Sequence, residues 1–233
     1  MDAWGIRNTK LLGALGPAEQ AAMGAICPDR QWDKGEFIYR SGDAAEAMHI
    51  VKSGKVKVVI TSADGHERIV GVHGPEDIFG ESFLSDFSHR LGDAVALTDA
   101  VTCPIDRMQF LRLMTEAPTV AAAFAKVLAN RLAEAQVALE EASFAPVPRR
   151  VARAMLTLAT RFGKPHGDHL VVDTDLTHDE LAGLVGSTRV TVTNALAELR
   201  EMGLVEGTRG SYKVWHARIH DYLSTPIADD DDF

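Results

Sequence analysis

Hydrophobic and polar residues alternate in short runs across the first half of the chain. Between positions 30 and 110, Gly and Asp punctuate the runs Gly35-Glu-Phe-Ile-Tyr-Arg-Ser-Gly-Asp43, Met48-His-Ile-Val-Lys-Ser-Gly54, Lys55-Val-Lys-Val-Val-Ile60 and Arg68-Ile-Val-Gly-Val72. Ala63-Asp-Gly-His66 reads as a turn between two of them. Many short strands at regular spacing predict a closed antiparallel barrel or roll. The pattern changes at Pro118. From Thr119 to Ala142 there is no Gly or Pro, and Ala, Leu and Glu dominate, which predicts one long helix. Phe124, Val127, Leu128, Leu132, Ala135 and Leu139 recur along it at three- and four-residue steps. A stripe of that length beside a small β domain reads as a dimer seam. Packing on its own domain is the alternative.

Phe144-Ala-Pro-Val-Pro148 interrupts the helix and reads as a hinge. Beyond it, Arg149 to Phe162 is expected to be helical and Leu170-Val-Val-Asp173 a strand. Two short helices follow, roughly Thr177–Val185 and Thr188–Met202, then two strands around a Gly-rich turn between Gly203 and Val214. The expected organisation is therefore α+β. A β domain spans 1–117, the long helix 118–142 and a second domain 143–224, with an acidic tail over 225–233 whose Asp229–Asp232 run should be solvated.

The densest signal is the run Thr177-His-Asp-Glu-Leu-Ala-Gly-Leu-Val-Gly-Ser-Thr-Arg-Val-Thr-Val-Thr-Asn-Ala-Leu-Ala-Glu-Leu-Arg200. Thr177 and Glu180 have the spacing of a capping box. Leu181, Ala182 and Val185 make an inner face, Gly186 permits a sharp turn, and Thr188 can cap the next helix. Val192, Leu196 and Leu199 would hold that helix to a core, leaving Thr188, Arg189, Val190, Thr191, Thr193 and Asn194 outward. This is a helix-turn-helix, which presents the first residues of its second helix to the major groove of DNA. Arginine can bond guanine bidentately, a contact worth ~1–3 kcal/mol of discrimination. Val190 can touch a thymine methyl, Thr191 and Thr193 can reach phosphates or base edges, and Asn194 can pair with adenine. The strands after it would form a wing. Arg209, Ser211, Tyr212 and Lys213 there are candidate phosphate contacts, which position without specifying.

Composition sharpens this in one respect. The 233 residues carry a net charge of −9, which argues against nucleic acid until it is divided. Residues 1–142 hold 14 basic and 20 acidic groups, 143–224 hold 10 and 9, and 225–233 hold four aspartates. The second domain is thus the part electrostatically open to DNA. No apolar run reaches the ~18 residues of a membrane helix, and the start lacks the basic and apolar regions of a signal peptide, so a cytoplasmic protein is expected. Cys27 and Cys103 are too few for a disulfide framework or an iron–sulfur cluster and read as free, buried apolar residues. His66, His73 and His89 are scattered. There is no His-x-His, Gly-x-Ser-x-Gly elbow or phosphate-binding loop, so neither a metal nor an enzyme is expected.

Three stretches together carry a family resemblance: Gly35 to Asp43 with Gly54, Phe79-Gly-Glu-Ser82 with Arg90, and the helix-turn-helix. From about Gly35 to Val214 the chain resembles the cAMP receptor protein/fumarate-nitrate regulator (CRP/FNR) family of bacterial transcription factors. Gly186-Ser-Thr-Arg-Val-Thr-Val-Thr193 is most similar to its nitrogen-control branch. The resemblance implies a homodimer with an N-terminal β-roll sensor, a long dimerisation helix and a C-terminal winged helix-turn-helix. An effector would shift the dimer between states that space its two reading helices wrongly or rightly, about one DNA turn, ~34 Å, apart. The bound dimer would then contact RNA polymerase. A sensor acting on a protein partner without DNA is the alternative function.

The resemblance also places an effector site at Phe79, Gly80, Glu81, Ser82, Arg90, Leu91, Arg131 and Ala135. Gly80, Glu81, Arg90 and Arg131 match residues of cyclic-nucleotide members. Leu91 stands where a serine hydroxyl would meet the phosphate, and Ala135 and Gln136 stand where Thr and Ser would meet the purine. Two arginines converging on a pocket would want a phosphate or carboxylate. Four options remain: cAMP or a similar nucleotide, an organic acid such as 2-oxoglutarate (which Glu81 would repel), another ligand, or none, with Arg90 and Glu81 paired to each other.

Overall fold

The structure, a computed structural model, describes residues 16–208 and 210–225. Candidate wing residue Arg209 and the aspartate run of the tail lie outside the described residues. The chain divides into two compact units, Met1–Ala135 and Gln136–Phe233.

The first unit opens with helix α1 (Pro17–Ala25), then β1 (Arg30–Trp32), β2 (Phe37–Tyr39), β3 (Ala47–Ser53), β4 (Val56–Thr61), β5 (Glu67–His73) and β6 (Ile78–Phe79). After a single 3₁₀ turn at Glu81–Leu84 come β7 (Asp93–Ala96), β8 (Ala100–Asp106), α2 (Arg107–Glu116) and the long helix α3 (Pro118–Phe144). The strands form two four-stranded antiparallel sheets, ordered β1-β8-β3-β6 and β2-β7-β4-β5. Strand β5 buries both Ile69 and Val72, three positions apart, because Val70 is an extra residue in its pairing with β4 and is left exposed. Gly54 makes the turn before β4: its φ is +76°, and a Cβ there would lie 2.2 Å from the Asp99 carbonyl oxygen. Neither α1 nor α2 is expected from the pattern. Helix α2 is local all the same, since Asp106 caps it by accepting from the Gln109 N–H at 2.9 Å.

Helix α3 runs without a break from Pro118 to Phe144, two residues beyond the expected end. Its first half corrects the reading of the apolar stripe. Phe124 and Val127 are buried with Phe83, Ile105, Phe110 and Val120 in the core of their own unit, and Phe124 meets the Phe110 ring edge-on at 4.9 Å. Leu128, Leu132 and Leu139 are 37%, 63% and 69% exposed and Ala135 is exposed, so only this later part is available as a seam.

The cysteines are a second correction. Cys27 and Cys103 are not independent. Their Cα atoms lie 5.3 Å apart, within the span of a disulfide, and the sulfurs are bonded. In the sequence they look free because the segment before β1 shows no strand or helix pattern that would bring Cys27 to β8.

The second unit contains α4 (Val147–Phe162), β9 (Lys164–His166), β10 (His169–Asp173), α5 (His178–Val185), α6 (Arg189–Glu201), β11 (Val205–Thr208), β12 (Ser211–Val214) and α7 (His216–Ser224). Its strands form one antiparallel sheet, β11-β12-β10-β9. Val151, Ala152, Met155, Leu158 and Ala159 of α4 and Val192, Ala195, Leu196 and Leu199 of α6 are all buried, the spacing of one face of a 3.6-residue helix. Helix α4 starts at Val147 because Pro148 can sit in a first turn, where its missing N–H has no partner to lose. Strand β9 and helix α7 are additions to the expected elements. No helix among the described residues is long and apolar enough to cross a membrane.

The disulfide closes a loop across a sequence separation of 76 residues. Reduction should therefore destabilise the first unit by about 2–4 kcal/mol. Thiol titration of unreduced protein should find no reactive cysteine and, after reduction and denaturation, two. Two thiols in the unreduced protein would remove the cross-link.

Candidate functional site

The helix-turn-helix is built by local capping. Thr177 caps α5: its Oγ1 accepts from the Glu180 N–H at 3.1 Å, and its own N–H donates to Glu180 Oε2 at 2.8 Å. Gly186 ends α5 at φ 65°, ψ 56°, the left-handed region. Thr188 caps α6 by accepting from the Thr191 N–H at 3.2 Å. Arg150 of α4 completes the turn, donating through Nη1 to the Val185 and Gly186 carbonyls at 2.8 and 3.1 Å. Sequence reasoning missed Arg150, since nothing in its neighbourhood points to a partner 35 residues away.

Thr188, Arg189, Val190, Thr191, Thr193 and Asn194 all face solvent, and Val190 is 70% exposed. A β-branched apolar side chain so exposed at the start of a well-packed helix gains nothing from the fold itself. Arg189 lies 3.7 Å from Asp179 with both side chains 68% exposed, a contact too wet to hold it. Three side chains of the face are engaged. Thr191 shares a hydrogen bond with Thr188 at 2.8 Å, and Thr193 donates to the Arg189 carbonyl at 2.8 Å.

The wing is narrower than expected. Ser211 and Lys213 are exposed, with Lys213 3.2 Å from Glu206 on the neighbouring strand. Tyr212 is 2% exposed, because side chains alternate along β12 and its ring falls on the core side. Its hydroxyl meets His178 Nε2 at 3.3 Å, so Tyr212 is not available to a phosphate.

The proposed effector residues gather around β6 and the 3₁₀ turn. Arg90 is 5% exposed, and its guanidinium lies 4.2 Å from the Tyr39 ring centre. Nη1 donates to the Gly80 carbonyl at 2.8 Å, Nη2 donates to Ala47, and Nε finds no protein partner among the described residues. Burial lowers the Arg90 pKa from its ordinary value and pushes the Tyr39 hydroxyl up to about 12. Gly80 sits at φ 79°, and a Cβ on it would lie 2.9 Å from Arg90 Nη1. Arg131 ion-pairs with Glu81 and donates to the Ile78 carbonyl. The Arg90–Glu81 pair of the effector-free option is not formed, and Glu81 pairs with Arg131 instead. Arg90 is turned inward, onto main-chain carbonyls.

Phe79 is fully buried, stacked between His49 at 5.0 Å and His73 at 5.8 Å, so it supports the site from behind rather than lining it. Ser82 is half-buried, Leu91 is 56% exposed and Ala135 is exposed. The residues fit an anion in part. Arg90 Nε is an unmet buried donor, and the leading N–H groups of a 3₁₀ turn have no partner within the turn. The Leu91 side chain contributes no donor.

Residues 29–117 match the model of the cyclic nucleotide-binding domain, and residues 149–221 match that of the Crp-like helix-turn-helix domain. The chain is 33% identical to the CRP-like cAMP-activated global transcriptional regulator of Mycobacterium tuberculosis over 196 residues, covering 83% of this chain and 88% of that protein. It is 31% identical to the global nitrogen regulator of Synechococcus elongatus over 179 residues, covering 75% and 80% of the two chains. The solved structure of FixK2 from Bradyrhizobium japonicum superposes with a TM-score of 0.76 at 21% identity, covering 87% of this chain and all of that one.

Burial, with Arg90 and Arg30 adding to it, pushes His49 down to about 3 from an ordinary 6.5. The unfolded chain then binds a proton that the folded chain does not. Stability should fall as pH drops from about 6.5 towards 3, by up to about 1.4 kcal/mol per pH unit for this group. His49→Gln should flatten that slope in urea titrations at pH 4, 5 and 6. An unchanged slope would place the acid sensitivity elsewhere.

Proposed function

The chain belongs to the CRP/FNR family of transcription regulators, and we propose that it works in the cytoplasm as a homodimer that binds a pseudo-palindromic promoter site and acts on RNA polymerase, as an activator. The observation that carries this reading is the exposed face of α6. Arg189, Val190, Thr191 and Asn194 stand clear of the core on a helix whose other face is fully packed. Arg189 offers a bidentate partner for guanine, Val190 an apolar surface for a thymine methyl, and Asn194 a bidentate partner for adenine. Ser211 and Lys213 meet phosphates, which set register. Leu128, Leu132 and Leu139 supply the apolar surface on which a second copy packs.

The sensor takes a small anion of the cyclic-nucleotide class, with Arg90 the phosphate-holding group and Glu81 the acceptor for ribose hydroxyls. Two things support this: the buried, unmet Nε of Arg90, and the cAMP-activated relative at 33% identity. One observation favours a second reading, a sensor that needs no effector. Glu81, Arg131 and two nitrogens of Arg90 already satisfy one another and nearby carbonyls.

Fluorescence anisotropy on an operator selected from random DNA, at one stated salt concentration, tests both levels. Arg189→Ala should lose discrimination at one guanine per half-site, a loss of about 1–3 kcal/mol on the preferred probe and none on a probe with that guanine swapped. Retained discrimination removes Arg189 as the reader. Lys213→Ala should weaken all sequences alike and lower the salt slope by about one for each phosphate that goes unneutralised.

Saturating cAMP should tighten wild-type binding about tenfold, ~1.4 kcal/mol of coupling, and Arg90→Leu should abolish the gain. Equal tight binding with and without cAMP supports the effector-free reading. Weak binding in both points to an organic acid such as 2-oxoglutarate.

A further inference from the structure

Three side chains join the wing to the reading helix. Tyr212 of β12 meets His178 Nε2 at 3.3 Å, and His178, the first residue of α5, meets Thr193 Oγ1 through Nδ1 at 3.0 Å. Thr193 Oγ1 in turn donates to the Arg189 carbonyl at 2.8 Å. Because the Thr193 O–H donates to the Arg189 carbonyl, the imidazole must donate to Thr193 through Nδ1–H, and the Tyr212 O–H can then donate to Nε2. Each hydroxyl has a single proton, and in this arrangement none is left over.

The consequence falls on Thr193. Its side chain is exposed on the same face as Arg189, Val190 and Asn194, where a threonine could offer a base either a hydroxyl or a methyl. The hydroxyl proton and one lone pair are taken, and an oxygen tied on both sides fixes χ1. The hydroxyl has no proton left to donate, which leaves the methyl to meet a base, and a threonine methyl pairs with the C5-methyl of thymine.

We propose that His178 is a positioning residue that fixes Thr193 with its methyl towards the groove, so that Thr193 reads a thymine by its C5-methyl group. This rests on the DNA-reading role of α6 proposed above. His178 touches no base. It acts by holding the Thr193 hydroxyl away from the DNA, and Tyr212 holds His178 in turn.

Replacing each thymine of the selected half-site with deoxyuridine, one at a time, removes only the methyl and isolates the contact. Wild-type protein should lose about three- to fivefold in affinity at the thymine facing Thr193, the size expected for one buried methyl. Thr193→Ser, which keeps the hydroxyl, should bind thymine and uracil equally there. Thr193→Val, which keeps a methyl, should still discriminate. Val190 is a second apolar reader, so discrimination that persists in Thr193→Ser at a different thymine belongs to Val190.

His178→Ala should reduce the thymine/uracil ratio at the Thr193 position, and His178→Gln, which can both donate and accept, should restore it. A purely structural histidine would change stability and overall affinity but leave that ratio alone. The proposal is overturned if Thr193→Ser keeps the full discrimination of wild type, or if His178→Ala leaves the ratio unchanged. Failure of the wild-type protein to select any DNA would instead overturn the reading of α6 itself, and this proposal with it.

Discussion

A guanidinium group carries five N–H donors and a charge that does not leave, so burying one costs several kcal/mol unless acceptors surround it. In this chain main-chain carbonyls supply many of those acceptors, and they lie where the backbone turns. Arg90 bonds Gly80 and Ala47, Arg131 bonds Ile78, and Arg150 bonds Val185 and Gly186. Arg149 bonds Leu223 and Thr225 at the end of α7, and Arg218 bonds Gly203 just after α6. The last carbonyls of a helix have no partner within it. An arginine that takes them fixes where the chain goes next. The angle between α5 and α6 is therefore held from a third helix, through Arg150, as well as by Gly186 at the turn itself.

That division explains what can be read from the sequence. The helix-turn-helix is legible to within a residue or two because its determinants are local: Thr177 with Glu180, Gly186 at the turn, Thr188 at the next cap. Strands β2 to β5 are legible from alternation, while β1, β6, β7 and β8 show no run of their own, and the long helix is legible from its lack of Gly and Pro. The arginine-to-carbonyl bonds are not legible. Their acceptors are main-chain groups carried by every residue, and their partners lie 10 to 76 positions away. The Cys27–Cys103 pairing escapes for the same reason. Tyr212 misleads because a hairpin rich in polar residues hides which side of β12 faces the core. Phe124 and Val127 mislead because one apolar stripe serves two purposes along its length. Its early part fills the chain's own core and its later part is left exposed.

The sensor residues show how burial changes the chemistry that residue type suggests. Glu81 looks like a charge that would repel a dicarboxylate, but Arg131 pairs with it, so its field at the site is largely compensated. Arg90 looks like a free phosphate ligand, but two of its nitrogens are engaged and it lies against the Tyr39 ring. Gly80 is required twice over: its φ of 79° disfavours a side chain, and the space a Cβ would need is held by Arg90. A site of this kind has few donors to spare: Arg90 Nε and the leading amides of the 3₁₀ turn.

Exposure separates the two roles that arginine plays in this chain. Arg90, at 5% exposed, has Nη1 and Nη2 directed at main-chain carbonyls, and removing it would leave those carbonyls without partners in a dry interior. Arg189 has a side chain 68% exposed, and its nearest carboxylate is 3.7 Å away in solvent. The desolvation cost of Arg189 is deferred until something covers it. A guanine edge in the major groove can meet it with two acceptors, N7 and O6, in the geometry of the guanidinium fork. The weak contact with Asp179 is easily exchanged for that pair, because a wet ion pair is worth only about 0–1 kcal/mol. Residue type alone cannot separate these roles. Burial can: Arg90 is committed to the protein interior, and Arg189 on α6 is left in solvent.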